Sequence, residues 1–180
     1  MMLLANFVSR LGNKEMVESL FIDWLVHGKE TLGEHDTVTL SARIEVGAIY
    51  LRSRNRYDDA REMLERAISG QEQIYGEEHP ETLQSLSNLA ILSFNQGRYE
   101  ESEQISNRIL AIHSRTLGPD HPSTLRVKFN MGAMYEVRKS YADAEPLMRT
   151  AYQSQLKQAG VFHPMVKHYE QCFVSVLTKL

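Results

Sequence analysis

Tyr75-Gly76-Glu77-Glu78-His79-Pro80 returns, after two apolar-periodic segments, as Leu117-Gly118-Pro119-Asp120-His121-Pro122. The step from His79 to His121 is 42 residues, and His163, again followed by Pro, lies 42 further on. Tyr57, Tyr99 and Tyr141 keep the same step, as do Ala48, Ala90 and Gly132. Three independent markers in one phase identify an internal repeat. A period of this length belongs to architectures in which each unit buries its apolar face on its neighbours.

Each unit reads as two helices. After His79, Pro80 suits a first helical turn, where its missing N–H costs nothing. Leu83, Leu86, Leu89, Ala90 and Ile91 then recur at three-to-four spacing, the mark of a helix with one buried face. Asn95-Gln96-Gly97 breaks that helix. A second helix follows Tyr99, with Ile105, Ile109, Leu110 and Ile112 as its apolar positions, and Leu117-Gly118-Pro119 ends it. The pattern predicts helices over 1–11, 14–31, 37–52, 57–75, 80–95, 99–116, 122–138, 141–159 and 164–180. The fold class is therefore all-α, an α-α superhelix (solenoid) of antiparallel helix pairs. It forms a single repeat domain over 1–180: a partial repeat 1–33, repeats 34–76, 77–118 and 119–160, and a terminal helix 161–180.

The first full repeat opens less regularly. His35-Asp36-Thr37 has Asp where Pro stands later, and counting from His35 gives a step of 44 to His79. Helices cut out of register at both ends suggest a fragment of a longer array, or a small protein capped by its last helix. Pro146 falls in the first turns of its helix and is expected to kink the entry without breaking it.

Composition narrows the function. Hydrophobic residues make up 42% and charged residues 24%, as in a folded soluble domain. A net charge of −3 with both signs interspersed argues against nucleic acid and anionic membranes as partners. The single cysteine, Cys172, excludes an internal disulfide framework and suits a reducing, cytoplasmic setting. Met1–Val8 is apolar but too short to span a bilayer.

Little in the sequence suggests catalysis or a metal. His35, His79, His121 and His163 recur one per repeat, so stacking separates them by about 10 Å per helix layer. Zinc needs ligands at about 2 Å. A role at the helix start is the expectation instead. Asp58-Asp59 and Glu100-Glu101 sit at helix N-termini, where the helix dipole favours negative charge. Phosphate-binding glycine motifs are absent from the sequence. The chain is expected to be no enzyme, with no metal and no cofactor.

The motif set resembles a tetratricopeptide-repeat array of the 42-residue, kinesin-light-chain-like type. Leu89-Ala90, Gly97-Arg98-Tyr99, Tyr57-x-x-Ala60, Tyr141-x-x-Ala144, Ala144-Glu145-Pro146-Leu147 and Leu117-Gly118-Pro119-Asp120-His121-Pro122 carry the resemblance. HEAT and armadillo repeats overlap this period, but the small first-helix residue and Tyr-x-x-Ala favour the tetratricopeptide type. In this reading Ala48, Ala90 and Gly132, with Ala60, Ser102 and Ala144 opposite, let paired helices approach closely. The Ser102 hydroxyl is expected to bond back to a carbonyl one turn earlier.

The resemblance implies a protein-binding module or scaffold that takes a partner peptide on its concave face, lined by first helices. Carried over by register, that face includes Ala42, Glu45, Val46, Ile49 and Arg52. Next come Gln84, Ser87, Asn88, Ile91, Phe94 and Asn95, then Arg126, Phe129, Asn130, Ala133 and Glu136. Asn88 and Asn130 match asparagines with which such grooves bond peptide backbone, an apt role for an amide that both donates and accepts. Their equivalents here are Val46 and Cys172. The expected partner-binding set is Arg52, Gln84, Asn88, Ile91, Phe94, Arg126, Phe129 and Asn130. That is an apolar centre rimmed by Arg and amides. The Arg residues suit an acidic partner. Phe94 and Phe129 could instead turn into the helix–helix seam. The alternative function is a structural fragment of a longer array, for example behind a nucleotide-binding domain. Such a fragment would pack on its own chain or self-associate through its open repeat ends.

Overall fold

The computed structural model describes residues 14–52 and 56–180. Among these every regular element is an α-helix: α1 Lys14–Thr31, α2 Thr37–Leu51, α3 Tyr57–Tyr75, α4 Pro80–Asn95, α5 Tyr99–Thr116, α6 Pro122–Val137, α7 Tyr141–Ala159 and α8 Pro164–Leu177. The helices read from periodicity agree with these bounds to within three residues. The one expected over 1–11 lies outside the described residues.

The chain packs as two compact units, divided between Ser102 and Glu103, so that α5 begins in the first and continues in the second. In the N-terminal unit α1 packs on α2, α2 on α3 and α3 on α4, and α2 also meets α4. In the C-terminal unit α6 packs on α7, α7 on α8, and α6 also meets α8. Consecutive antiparallel helices pair, and within each unit the first helices of successive repeats touch. This is an all-α helical-repeat solenoid.

The repeated phrase builds each helix start. Nδ1 of His79, His121 and His163 accepts the backbone N–H of Glu81, Ser123 and Met165, each at 3.2 Å. Each His thus satisfies a donor orphaned at its helix's N-terminus. Gly76 and Gly118 end the preceding helices at φ +91° and +98°, where a Cβ would be strained. Their carbonyls accept the hydroxyls of Thr82 and Thr124 at 2.9 and 2.8 Å, locking each loop to the helix it feeds.

These caps correct the register of the first repeat. The residue capping α2 is Asp36, whose carboxylate accepts Val38 N–H at 2.8 Å, while His35 is exposed. The step to His79 is thus 43 residues, and Asp36 stands one residue further from Tyr57 than His79 does from Tyr99. The small first-helix residue is accordingly Gly47, not Ala48. A Cβ on Gly47 would lie 3.1 Å from Leu64 Cγ, and one on Gly132 would lie 2.7 Å from Met148 Cγ. Opposite these positions Ala60 and Ala144 are fully buried. Ser102 differs from the expectation for it. Its hydroxyl crosses the helix pair and donates to the Ala90 carbonyl at 2.8 Å. The carbonyl one turn back, that of Arg98, already accepts the Ser102 backbone N–H. Pro146 lies inside an unbroken α7.

Candidate functional site

Each first helix has one stripe left over once packing is assigned. On α4, Leu83, Leu86, Leu89, Ala90 and Leu92 are buried. Gln84, Asn88, Ile91 and Asn95 recur at three-to-four spacing on another face. Gln84, Ile91 and Asn95 are exposed and Asn88 half-buried. The 43-residue step maps this stripe onto Ser41, Glu45, Ala48 and Arg52 of α2. Arg52 is exposed and the other three half-buried. Because α2 meets α4, the two stripes form one face of the N-terminal unit. Ala42 and Val46, expected on that face, are 0% and 2% exposed and belong to the core. The one-residue shift turns their side chains by about 100°. Phe94 is half-buried, its ring tilted against Tyr99 at 5.2 Å, so it closes the turn as much as it faces outward.

The C-terminal unit has the corresponding face on α6 and α8. Arg126 and Val137 are exposed there, and Asn130 and Ala133 half-buried. The matching α8 positions are exposed His168 and half-buried Cys172 and Ser175, with exposed Lys179 just beyond the helix. Burial pushes the Cys172 thiol up, so it is held as the unreactive thiol. Glu136 accepts hydrogen bonds from Ser175 Oγ at 2.8 Å and Lys179 Nζ at 2.9 Å, tying α6 to the end of the chain. Phe129 does not line this face. Its ring is buried in the seam, stacked on Tyr169 at 4.0 Å between centroids and beside His168 at 5.2 Å. An apolar ring with a buried aromatic partner gains more there than against water.

What the two faces offer is unfilled hydrogen-bonding capacity. The side-chain amides of Asn88 and Asn130 take no hydrogen bond from any described residue, and neither does the Glu45 carboxylate. All three are half-buried, and Glu45 holds in the first repeat the slot that Asn88 and Asn130 hold later. Burial raises the Glu45 carboxyl above the usual carboxylate range, and the charge of Arg52 offsets part of this. Carrying the 42-residue step of the later repeats back from Asn88 assigns the slot to Val46 instead. Asp36, a stronger N-cap former than His, is the signal that corrects the count, because stepping from it places Glu45 in line.

Three histidines are committed to helix caps, and among the described residues no cluster of His, Cys, Asp or Glu is placed to hold a metal. No helix among them is long and apolar enough to cross a membrane.

The tetratricopeptide-repeat family model matches residues 38–94 and again 81–157. Among solved structures, a protein described as a kinesin light chain of Podosopora anserina, with nearly identical TPR-like repeats, superposes with a TM-score of 0.79 at 22% identity, over 98% of this chain and 83% of its own. A single-residue variant of that protein gives a TM-score of 0.80 at 22% identity, over 98% and 82%. BtubC (BKLC) from P. vanneervenii gives 0.80 at 19% identity, over 98% and 70%. No curated protein matches the sequence. At these identities the structural likeness speaks to fold alone.

Proposed function

Because the chain belongs to the tetratricopeptide-repeat family, a fold that serves generally as a protein–protein interaction scaffold, we propose that it is a non-catalytic module. In this reading the first-helix face of each unit holds an extended partner segment. The observation that carries this is the half-buried, unfilled amide of Asn88 in one unit and of Asn130 in the other. In both units the same register slot thus presents an amide that no described residue occupies and that a bound backbone could reach. An amide matches the alternating N–H and C=O of an extended backbone. Gln84 and Ile91 supply polar and apolar contact beside Asn88, and Phe94 borders it. Arg52 and Arg126, both exposed, suit carboxylates on the partner through bidentate pairing. The single cysteine supports a reducing, cytoplasmic setting.

The test is to pan a random-peptide library against the whole chain and measure the affinity of the selected peptides. Asn88→Ala should weaken peptides bound on the N-terminal unit, and Asn130→Ala those bound on the C-terminal unit, roughly tenfold, the loss of one to two hydrogen bonds. Arg126→Glu should further select against acidic peptides. Unchanged affinity in both Asn variants, with the helical circular dichroism intact, would defeat the proposal.

A second reading has its own observation. On α8, Val174 is 50% and Leu177 45% exposed, an apolar surface that self-association through a repeat end would cover. Sedimentation velocity decides it: a mass that stays monomeric up to high concentration rejects that reading.

A further inference from the structure

The slot occupied by Asn88 and Asn130 carries a charge in the first repeat, and that charge has consequences for the partner. We propose that Glu45 receives a basic side chain, a lysine or arginine of the partner segment, on the α2–α4 face. This rests on the groove reading above and names the partner chemistry at one of its positions.

Four observations carry it. The α2 cap at Asp36 sets Glu45 in register with Asn88, on two helices that meet. Glu45 is half-buried although a glutamate on an open helix face reaches solvent freely. No described residue donates a hydrogen bond to its carboxylate. Among the described residues Arg52, two helical turns further on, is the cation whose charge acts on it, and the two form no ion pair.

A carboxylate in this state has lost part of its hydration without recovering it from any described residue. A neutral amide offered by the partner returns little of that loss. An ammonium or guanidinium returns charge-assisted hydrogen bonds, roughly twice as strong as neutral ones. The same carboxylate repels an acidic residue, so the position rejects as well as selects. Ser41 and Ala48, one turn to either side on α2, are small and leave room for the long stem of Lys or Arg. Asn88 on the neighbouring helix can hold the peptide backbone while Glu45 reads the side chain. The raised Glu45 carboxyl agrees with this, since an incoming cation would draw it back toward the usual range.

The experiment pans one random-peptide library against the whole wild-type chain, Glu45→Gln and Glu45→Lys. Wild type should select peptides with Lys or Arg at one fixed position. Glu45→Gln should keep the surrounding pattern and lose that preference, and Glu45→Lys should replace it with Asp or Glu. In a selected peptide, changing the basic residue to Ala should cost roughly tenfold or more on wild type, as charged hydrogen bonds do. On Glu45→Gln the same change should cost under about twofold, the remainder expected when the coupled charge is gone. Equal losses on both proteins, or no basic position on wild type, overturn the proposal. Peptides weakened by Asn88→Ala yet indifferent to Glu45 would overturn this inference alone. Peptides indifferent to Asn88 and Asn130 as well, or no selected peptides, would overturn the groove reading beneath it.

Discussion

Arg61 in the N-terminal unit and Glu103 in the C-terminal unit occupy the same repeat position with opposite charge. Arg61 leaves α3 and donates to Ser93 Oγ at 3.0 Å and Gln96 Oε1 at 2.8 Å on α4 and its C-cap. Its two terminal nitrogens also grip the Glu101 carboxylate at 2.8 and 3.0 Å. In the other unit Glu103 accepts the Tyr135 hydroxyl at 2.6 Å and pairs with Arg138 at 3.7 Å. Tyr135 and Arg138 stand one repeat on from Ser93 and Gln96. Each unit thus bridges a second helix to the end of the following first helix. The geometry demands complementary partners there and leaves the polarity open, so a change of sign on one side is met by a change on the other.

The same comparison extends to the helix-pair contact. Unit one puts Ala90 opposite Ser102, with a hydroxyl-to-carbonyl bond of 2.8 Å. Unit two puts Gly132 opposite Ala144, whose carbonyl would stand 3.2 Å from a Cβ on Gly132. The largest predicted effect lies here. Gly132→Leu should destabilise by about 3 kcal/mol and Ala90→Leu by somewhat less, both through overpacking. In the first repeat Gly47→Leu should behave like them, and Ala48→Leu, on the half-buried stripe, should not. Urea melts of the four variants measure this. A greater loss for Ala48→Leu than for Gly47→Leu would reject the corrected register.

Next in size is the bridge itself. Arg61→Ala removes the paired hydrogen bonds to the Glu101 carboxylate, leaving it Arg98 at 3.9 Å, and should cost about 2 kcal/mol, in the range for hydrogen bonds to charged groups. Glu103→Ala should cost about 1 kcal/mol, since it loses one good bond and one long ion pair. The double variant Arg61→Glu with Glu101→Arg should recover part of the first loss. If polarity is as free as the two units imply, it recovers more than Glu101→Arg alone.

The smallest effect separates the units by pH. His113, one repeat on from Gln71, is buried, and its Nδ1 has no hydrogen-bond partner among the described residues. Burial lowers its pKa, with the charges of Arg126 and His121 adding to this and a bond to the Ser123 backbone opposing it. A histidine whose folded pKa lies below its unfolded value leaves the unfolded chain binding more protons. Its contribution is therefore whole above about pH 6.5 and is lost as pH falls below that. Tyr135 acts at the other end. Burial, then the Glu103 hydrogen bond and charge, push it up to about 12. Its contribution is present below the unfolded value near 10 and is lost as pH rises beyond it. In the N-terminal unit the Arg61 hydrogen bond holds Glu101 below the usual carboxylate range. That contribution is lost only as pH falls below about 4.5, where the unfolded carboxylate begins to protonate. The sole tryptophan, Trp24, reports on the N-terminal unit. Between pH 5 and 6.5, circular dichroism should register weakening that Trp24 fluorescence does not, and His113→Gln should remove the divergence. Coincident curves for the wild type would contradict the assignment to His113.

The helices, their pairing and the repeat are legible in the sequence because each rests on local chemistry. Leu83, Leu86 and Leu89 mark a buried face, Pro80 a first turn, and Gly76 a stop, whatever lies elsewhere in the chain. The candidate face is legible only in part. In the second and third repeats the phrase His-Pro marks the cap, and Gln84, Asn88, Ile91 and Arg126 fall on the outward stripe. In the first repeat no Pro marks the cap at Asp36, and the 42-residue step of the later repeats, where the true step is 43, exchanges Glu45 for Val46 in the amide slot.

The repeat sequence by itself determined an all-α chain of helix pairs, since periodicity, caps and turn glycines act within a few residues of where they stand. Tertiary packing decided the rest. Phe129 could have faced outward or into the seam, and Tyr169, 40 residues away, settled it by stacking on its ring at 4.0 Å. Ser102 could have bonded along its own helix, and the close approach of Ala90 gave its hydroxyl a carbonyl across the pair. Glu45 could have been one more solvated carboxylate, and its half-burial beside α4 makes it a group that needs a partner. In each case the deciding neighbour lies in another helix, and the free energy of burial depends on that neighbour rather than on the residues alongside.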